Sequence, residues 1–372
     1  MDPVELERTT DRNAPALALS GGGFRATLYH CGALIRLNEL GLLAQMGRIA
    51  AVSGGSITAA RLAIAWDDMT LVNDRFTNLD SHVIAPLRNF CSRGIDISAG
   101  VIGALNPFTS AGARLAKAYE TLLDKRTLQD LPDAPDFVFK ATNLQTGRAV
   151  RFQKRYMADY MIGCIFNPDL PLSTVVAASS AFPPVLSPVR IKLKPSAWTN
   201  LTGASHFSDN NYKRELRLTD GGAYDNMALE SVDDFNPVIV SDAGKPFSVT
   251  ETASGLWPKQ LSRILSISTD QARSLRRRLL YTACVSEGRA FAISQIDCGI
   301  ADRPAEQKIA FSAEMIAHLA GIRTRLNRFS VAEQDNLINW GWLSMDVLAR
   351  SYLPQARNAP APTALPLPVH PV

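Results

Sequence analysis

The sequence is poor in the features that most often announce a function. Its five cysteines (Cys31, Cys91, Cys164, Cys284, Cys298) are scattered and form no C-x-x-C pair. That argues against a disulfide framework and for buried, reduced thiols in a cytosolic compartment. No apolar run reaches the length that spans a bilayer. The N-terminus, MDPVELERTTDRN, is polar and carries acids, unlike a secretory leader. Any contact with a membrane is then peripheral and made from the water side. G-x-x-x-x-G-K-[ST] is absent, and no cluster with metal-ligand spacing is visible, so neither cofactor nor metal is expected. The net charge of +4 permits attraction to anionic lipid or nucleic acid without arguing for either, and nothing points to a nucleic-acid polymer.

What is present is a globular chain. Hydrophobic residues make up 46% and charged residues 20%, enough to bury a sizeable core in one large domain or two ordinary ones. Pro15 to Leu19 reads as a short buried strand, Ala26 to Leu40 as a helix, Ile49 to Val52 as a second strand and Gly54 to Trp66 as a second helix. Residues 67–135 read as a mainly helical insertion holding the apolar stretch AGVIGALNPF (99–108). FVFKATN (137–143) and RAVRFQK (148–154) read as a hairpin, and LRLTD (216–220) and PVIVSDAG (237–244) as further buried strands. Strands alternating with helices predict an α/β fold. The division is an extension over 1–14, a core over 15–250, a mainly helical part of the same domain over 251–353, and a Pro/Ala-rich disordered tail over 354–372.

Three stretches carry chemistry. In ALSGGGFR (18–25) a strand runs into Gly21-Gly22-Gly23 and then a helix, which leaves backbone N–H groups bare where they stabilise negative charge. A phosphate or the oxyanion of an acyl-transfer intermediate would suit it; G-x-G-x-x-G fails because Ala26 stands at its last position. In AAVSGGS (50–56) a strand meets a serine and two glycines. Ser53 then matches A-x-S-x-G, a variant of the nucleophile elbow with Ala51 in place of the first glycine and Gly55 as the last. In LTDGGAYDN (218–226) Asp220 ends a buried strand before two glycines that let another backbone approach.

Together and in this order, these stretches resemble the patatin-like phospholipase family over about residues 15–245. Gly21-Gly22-Gly23-Phe24-Arg25 matches its oxyanion-hole motif, Ser53 its nucleophile and Asp220 the acid of its D-G-G motif. ATNLQTGRAVRF (141–152), VVAASSAFPPVLSPV (175–189) and DNMALE (225–230) are similar to further segments of the family. The resemblance implies a three-layer α/β/α core with a mainly parallel sheet, and a serine acyl hydrolase of membrane phospholipids.

No histidine lies in a motif that would pair with Ser53, so Asp220 is the expected base of a two-residue dyad. A free aspartate, with a pKa of about 3.9, is too weak for this unless burial raises it. Arg25 would orient the glycine loop or attract a lipid phosphate, or else simply pair with a carboxylate. Val101, Ile102, Leu105 and Phe108 are the first candidates for an apolar entrance, and Arg273, Arg276, Arg277 and Arg278 for contact with anionic headgroups. Two other readings stand beside the constitutive hydrolase. One is an antiphage effector held inactive until a cyclic nucleotide binds, with residues 257–352 as sensor or oligomerisation surface. The other is a non-catalytic lipid-binding protein.

Overall fold

The computed structural model describes residues 11–95, 111–183 and 186–371; AGVIGALNPF, with Val101, Ile102, Leu105 and Phe108, lies outside the described residues. The apolar run before the glycines forms β1 (Ala16–Leu19), and α1 (Gly23–Glu39) follows it. Next come β2 (Arg48–Val52) and α2 (Gly54–Ala65). The 67–135 insertion contains a small hairpin over 71–76, α3 (Ala85–Arg93) and α4 (Ala111–Leu123). Then follow β3 (Asp136–Asn143), β4 (Arg148–Phe152), β5 (Tyr156–Asp159), β6 (Gly163–Phe166), α5 (Leu172–Ser180), β7 (Val189–Lys192), β8 (Glu215–Asp220) and β9 (Val238–Asp242). The chain closes with α6 (Trp257–Glu287), β10 (Phe291–Gln295), α7 (Ala313–Gly321) and α8 (Val331–Tyr352).

Among the described residues ten strands form one mixed sheet, ordered β10-β9-β1-β2-β3-β4-β5-β6, with β8 joined to β3 and β7 to β8. The half from β10 to β3 is parallel and the remainder antiparallel. Strands buried on both faces explain why β1 and β2 read as continuous apolar runs. Leu17, Leu19, Ile49 and Ala51 face α1, α2 and α8, while Ala16, Ala18, Ala50 and Val52 face the 227–235 segment and α6. This is the α/β/α layering that the motifs imply. Helix α8 crosses α1 closely because Gly32 and Gly341 carry no Cβ; one on either would strike the backbone of the other helix.

Residues 354–371 depart from the expected disorder. Asn339 pairs in both directions with the Leu367 backbone, donating at 2.9 Å and accepting at 3.0 Å. Asn336 does the same with His370, and the His370 ring bonds Asp335 at 2.8 Å. Two asparagines one helical turn apart thus act as a sheet edge, and proline-rich chain has little backbone entropy to lose on docking there. Composition predicts the solubility of such a tail but cannot foresee the carboxamides that receive it.

Candidate active site

The sheet register brings the motif residues together. β2 runs parallel to β3 and ends with Val52 opposite Lys140. β8 runs antiparallel along the same edge of β3 and ends with Asp220 opposite Ala141. The two strands therefore meet head to head, one delivering Ser53 and the other Asp220. The Ser53 hydroxyl lies close enough to the Asp220 carboxylate to favour its ionised form, and the carboxylate Oδ1 accepts the Gly222 N–H at 2.7 Å.

Ser53 sits in the turn between β2 and α2 with φ 52° and ψ −117°, a backbone state that L residues avoid. The surroundings hold it there. Its N–H donates to Ser179 Oγ at 2.9 Å; Ser179 in turn donates to the Lys140 carbonyl at 2.7 Å and meets Ser56 Oγ at 2.8 Å. Gly54 and Gly55 leave room for β1 and its loop, since a Cβ on either would collide with the carbonyls of Gly23 and Leu19. Ala51 needs no such room. It lies inside β2 between Leu19 and Phe139, so its methyl is ordinary core.

The three glycines do different things. The Gly21 N–H donates to the Asn226 carbonyl at 2.9 Å, so it is not free for an oxyanion. Gly21 matters as an absent side chain, because a Cβ there would lie 3.1 Å from Ser53 Cβ and collide with the Asn226 carboxamide. The spacing predicts a helix from Ala26, yet α1 starts at Gly23, with Gly22 as N-cap at φ 145°. The amides of Gly22 and Gly23 therefore belong to the first turn, where helix N–H groups lack an internal partner. No hydrogen-bond partner is described for either.

Arg25 is neither a free cation nor a carboxylate partner. It is buried, and its guanidinium donates to the carbonyls of Ala320, Ile322 (2.9 Å) and Ala243 (2.9 Å). Burial lowers its pKa to about 10. It ties the glycine helix to the end of β9 and to the chain after α7, and so positions the loop rather than a lipid phosphate. Arg25→Gln is expected to cost about 3 kcal/mol of stability, as charge-assisted bonds to buried carbonyls are lost. Chemical denaturation checks this; an unchanged midpoint would make the latch dispensable.

The arginine run also divides. Arg273 is buried against Asp242 at 2.6 Å, and Arg276 serves Asp225 and the Tyr224 carbonyl. Two of the four residues read as headgroup contacts are thus structural. Asp225, the second aspartate of the motif, is buried on Lys140 at 2.8 Å, and the cations beside it hold its pKa down.

The electrostatics single out Asp220. Burial, only partly offset by the Gly222 hydrogen bond and the nearby Ser53 hydroxyl, raises its pKa to about 6. No histidine competes for the role. Both His30 nitrogens are engaged, with the Ser20 carbonyl at 2.9 Å and Ser241 Oγ at 2.8 Å, and burial drops its pKa to about 4. His82 bonds Asn78 and Ser81, His206 bonds Ser205, His370 bonds Asp335, and His318 lies exposed on α7. Among the described residues no group of three His, Cys, Asp or Glu side chains is placed to hold a metal, and no helix is long and apolar enough to cross a membrane.

Sequence reasoning missed Ser179 and Asn226. Both lie in stretches already quoted, but their work is done across the fold, on Ser53 N–H and Gly21 N–H, where no local spacing reveals it.

Comparison with solved structures finds human GIVD cytosolic phospholipase A2, solved in complex with methyl gamma-linolenyl fluorophosphonate and terbium chloride. The TM-score is 0.51 at 12% identity, covering 90% of this chain and 57% of that one. It also finds VipD from Legionella pneumophila, at TM-score 0.37 and 13% identity, covering 92% of this chain and 68% of that one. The first is a likeness of fold, and this chain spans under two thirds of that protein's length. No curated protein matches by sequence. The family model for patatin-like phospholipases matches residues 17–233, more than half of the chain, and the protein belongs to that family.

Proposed function

We propose that the protein is a lipid acyl hydrolase of phospholipase A type, working through a Ser53–Asp220 dyad. The observation that carries this is the meeting of a strained Ser53 with a buried aspartate raised to about 6, brought together by the facing ends of β2 and β8. In the first step the Ser53 proton passes to Asp220 as Oγ attacks the ester carbonyl. The carbonyl oxygen becomes an oxyanion held by the Gly22 and Gly23 amides. Collapse expels the lysolipid alkoxide, which takes the proton from Asp220. A water, deprotonated by the same carboxylate, then hydrolyses the acyl-serine. The electrophile is supplied by backbone, so activity in excess EDTA is expected to equal that in its absence.

A phospholipid suits the site better than a neutral ester because of the charge beside the glycines. Lys245, Arg323, Thr324, Arg325 and Asn327 line a cleft of about 480 Å³. It abuts the oxyanion loop: a Cβ on Gly23 would strike the Thr324 carbonyl, and Lys245 lies two residues beyond Ala243, whose carbonyl crowds Gly22. Arg323 is pinned by Glu333. Lys245 and Arg325 are exposed, and no ion-pair partner is described for either. A diester phosphate seated there would stand near the ester under attack. Lys245→Gln with Arg325→Gln is expected to lower kcat/KM on phosphatidylglycerol about tenfold or more relative to an uncharged diacylglycerol. Equal loss on both lipids would remove the cleft from recognition. The same vesicle assay with and without cyclic dinucleotides separates a constitutive enzyme from a gated antiphage effector. Release of fatty acid by the parent protein would exclude a purely lipid-binding role.

A further inference from the structure

The most exposed apolar surface among the described residues belongs to α6. Arg273, Leu280 and Cys284 are its buried residues, and they share one face of the helix. Trp257, Leu261, Ile264, Leu265, Leu275 and Leu279 form a stripe on the opposite side, between 52% and 74% exposed. A surface helix ordinarily turns its apolar stripe inward; α6 turns it out.

The position of the helix gives that stripe a direction. Arg273 anchors at Asp242, the last residue of β9. Sixteen residues later the chain is at the other end of that strand, where Arg289 donates to the Phe235 carbonyl. α6 therefore runs antiparallel to β9. Its first half extends beyond the ends of the parallel strands at which β1 delivers the glycines and β2 delivers Ser53. From Arg273 back to Trp257 that projection is about 24 Å at 1.5 Å per residue. The 243–250 loop braces it, with Arg263 donating to the Ser248 carbonyl at 2.7 Å and stacking on Phe247.

We infer that residues 257–269 of α6 are an interfacial arm that docks the catalytic end of the protein on an anionic lipid surface. The arm has the make-up of a helix that lies in a headgroup layer: tryptophan, leucine and isoleucine on one side and cations on the other. Lys259 and Arg263 are its charged residues before Asp270, and residues 252–269 contain no acid. A bare cationic segment suits anionic headgroups. A second copy of the same arm would bring like charges without an answering acid. This deepens the hydrolase reading and rests on it for the identity of the surface, but the arm is tested without turnover.

The test is flotation of the full chain carrying Ser53→Ala with vesicles of phosphatidylglycerol and phosphatidylcholine, in equal parts or phosphatidylcholine alone. The arm predicts binding to the mixed vesicles that weakens at least fivefold between 50 and 500 mM salt. Adding Trp257→Ser, Leu261→Ser and Ile264→Ser should lower that binding at least tenfold, with the circular dichroism and melting temperature of the parent retained. Lys259→Gln, which leaves the Arg263 brace in place, should weaken the preference for phosphatidylglycerol while leaving the helix intact. Undiminished flotation of the triple variant overturns the proposal. So does a parent that fails to float but sediments as a dimer which the triple variant dissociates, since the stripe then belongs to a second copy. Flotation reads binding alone, so its outcome bears on the arm whether or not Ser53 proves to be a nucleophile.

Discussion

Replacing Ser53 by alanine is expected to lower hydrolysis of a soluble acyl ester by a factor on the order of 10⁴ or more, with the fold unchanged. Loss of the hydroxyl removes the nucleophile of the proposed mechanism. It leaves in place the hydrogen bond from the residue 53 amide to Ser179 Oγ at 2.9 Å and the glycine packing that define the turn. The φ of 52° is as awkward for alanine as for serine, so stability should move by less than about 1 kcal/mol. Residual activity above a few per cent in the folded variant would take Ser53 out of the mechanism. Gly22→Val is a less clean probe than the motif alone suggests. At φ 145° and with the Ala243 carbonyl 2.6 Å from the added Cβ, it should lower stability together with turnover.

Asp220→Asn is expected to cost activity on the order of a thousandfold and yet to stabilise the protein at alkaline pH. The base must be unprotonated, so kcat/KM of the parent should fall with unit slope below about pH 6, the value to which burial raises this carboxyl. Stability has the opposite sense. Because the folded-state pKa lies above the unfolded one, the folded protein binds the Asp220 proton more tightly. Below the unfolded pKa near 3.8 the group costs nothing. As pH rises through about 6 the cost grows, reaching roughly 3 kcal/mol once the group is ionised. Asparagine keeps the acceptor for Gly222 N–H and removes the charge. Its melting temperature should therefore exceed the parent's at pH 8 and equal it at pH 4. A variant less stable than the parent at pH 8 would mean that the carboxylate is a structural anion.

The parts of the site that follow from one strand and one turn were legible in the sequence. β1 and the Ile49–Val52 part of β2 read as buried strands because they are apolar throughout, and the glycine, serine and aspartate motifs each close a strand as their spacing suggests. The meeting of Ser53 and Asp220 was legible only through family resemblance. It depends on β8 pairing beyond the end of β2 along the edge of β3, a contact between segments more than 160 residues apart in the chain. Less legible still was the division of labour inside a motif. Gly21 and Gly23 are identical as letters, yet one amide is bound by Asn226 and the other opens a helix. Arg273 read as a surface cation because arginine usually is one, and Arg25 as a loop or phosphate contact or a carboxylate partner. Three carbonyls from distant segments and the Asp242 carboxylate bury them instead. The outward stripe of α6 was hidden for the opposite reason: an amphipathic pattern states that one face is apolar but not which way that face is turned.

The central claim is that Ser53 is a nucleophile activated by Asp220, and covalent capture tests it most directly. An alkyl fluorophosphonate would be attacked at phosphorus by Ser53 Oγ with loss of fluoride, and intact-mass and peptide analysis would locate the adduct. The account predicts one phosphonyl group per chain, on the peptide containing Ser53, absent in Ser53→Ala and formed at least a hundredfold more slowly in Asp220→Asn. An unlabelled parent protein, an adduct on any other residue, or undiminished labelling of Asp220→Asn would contradict it.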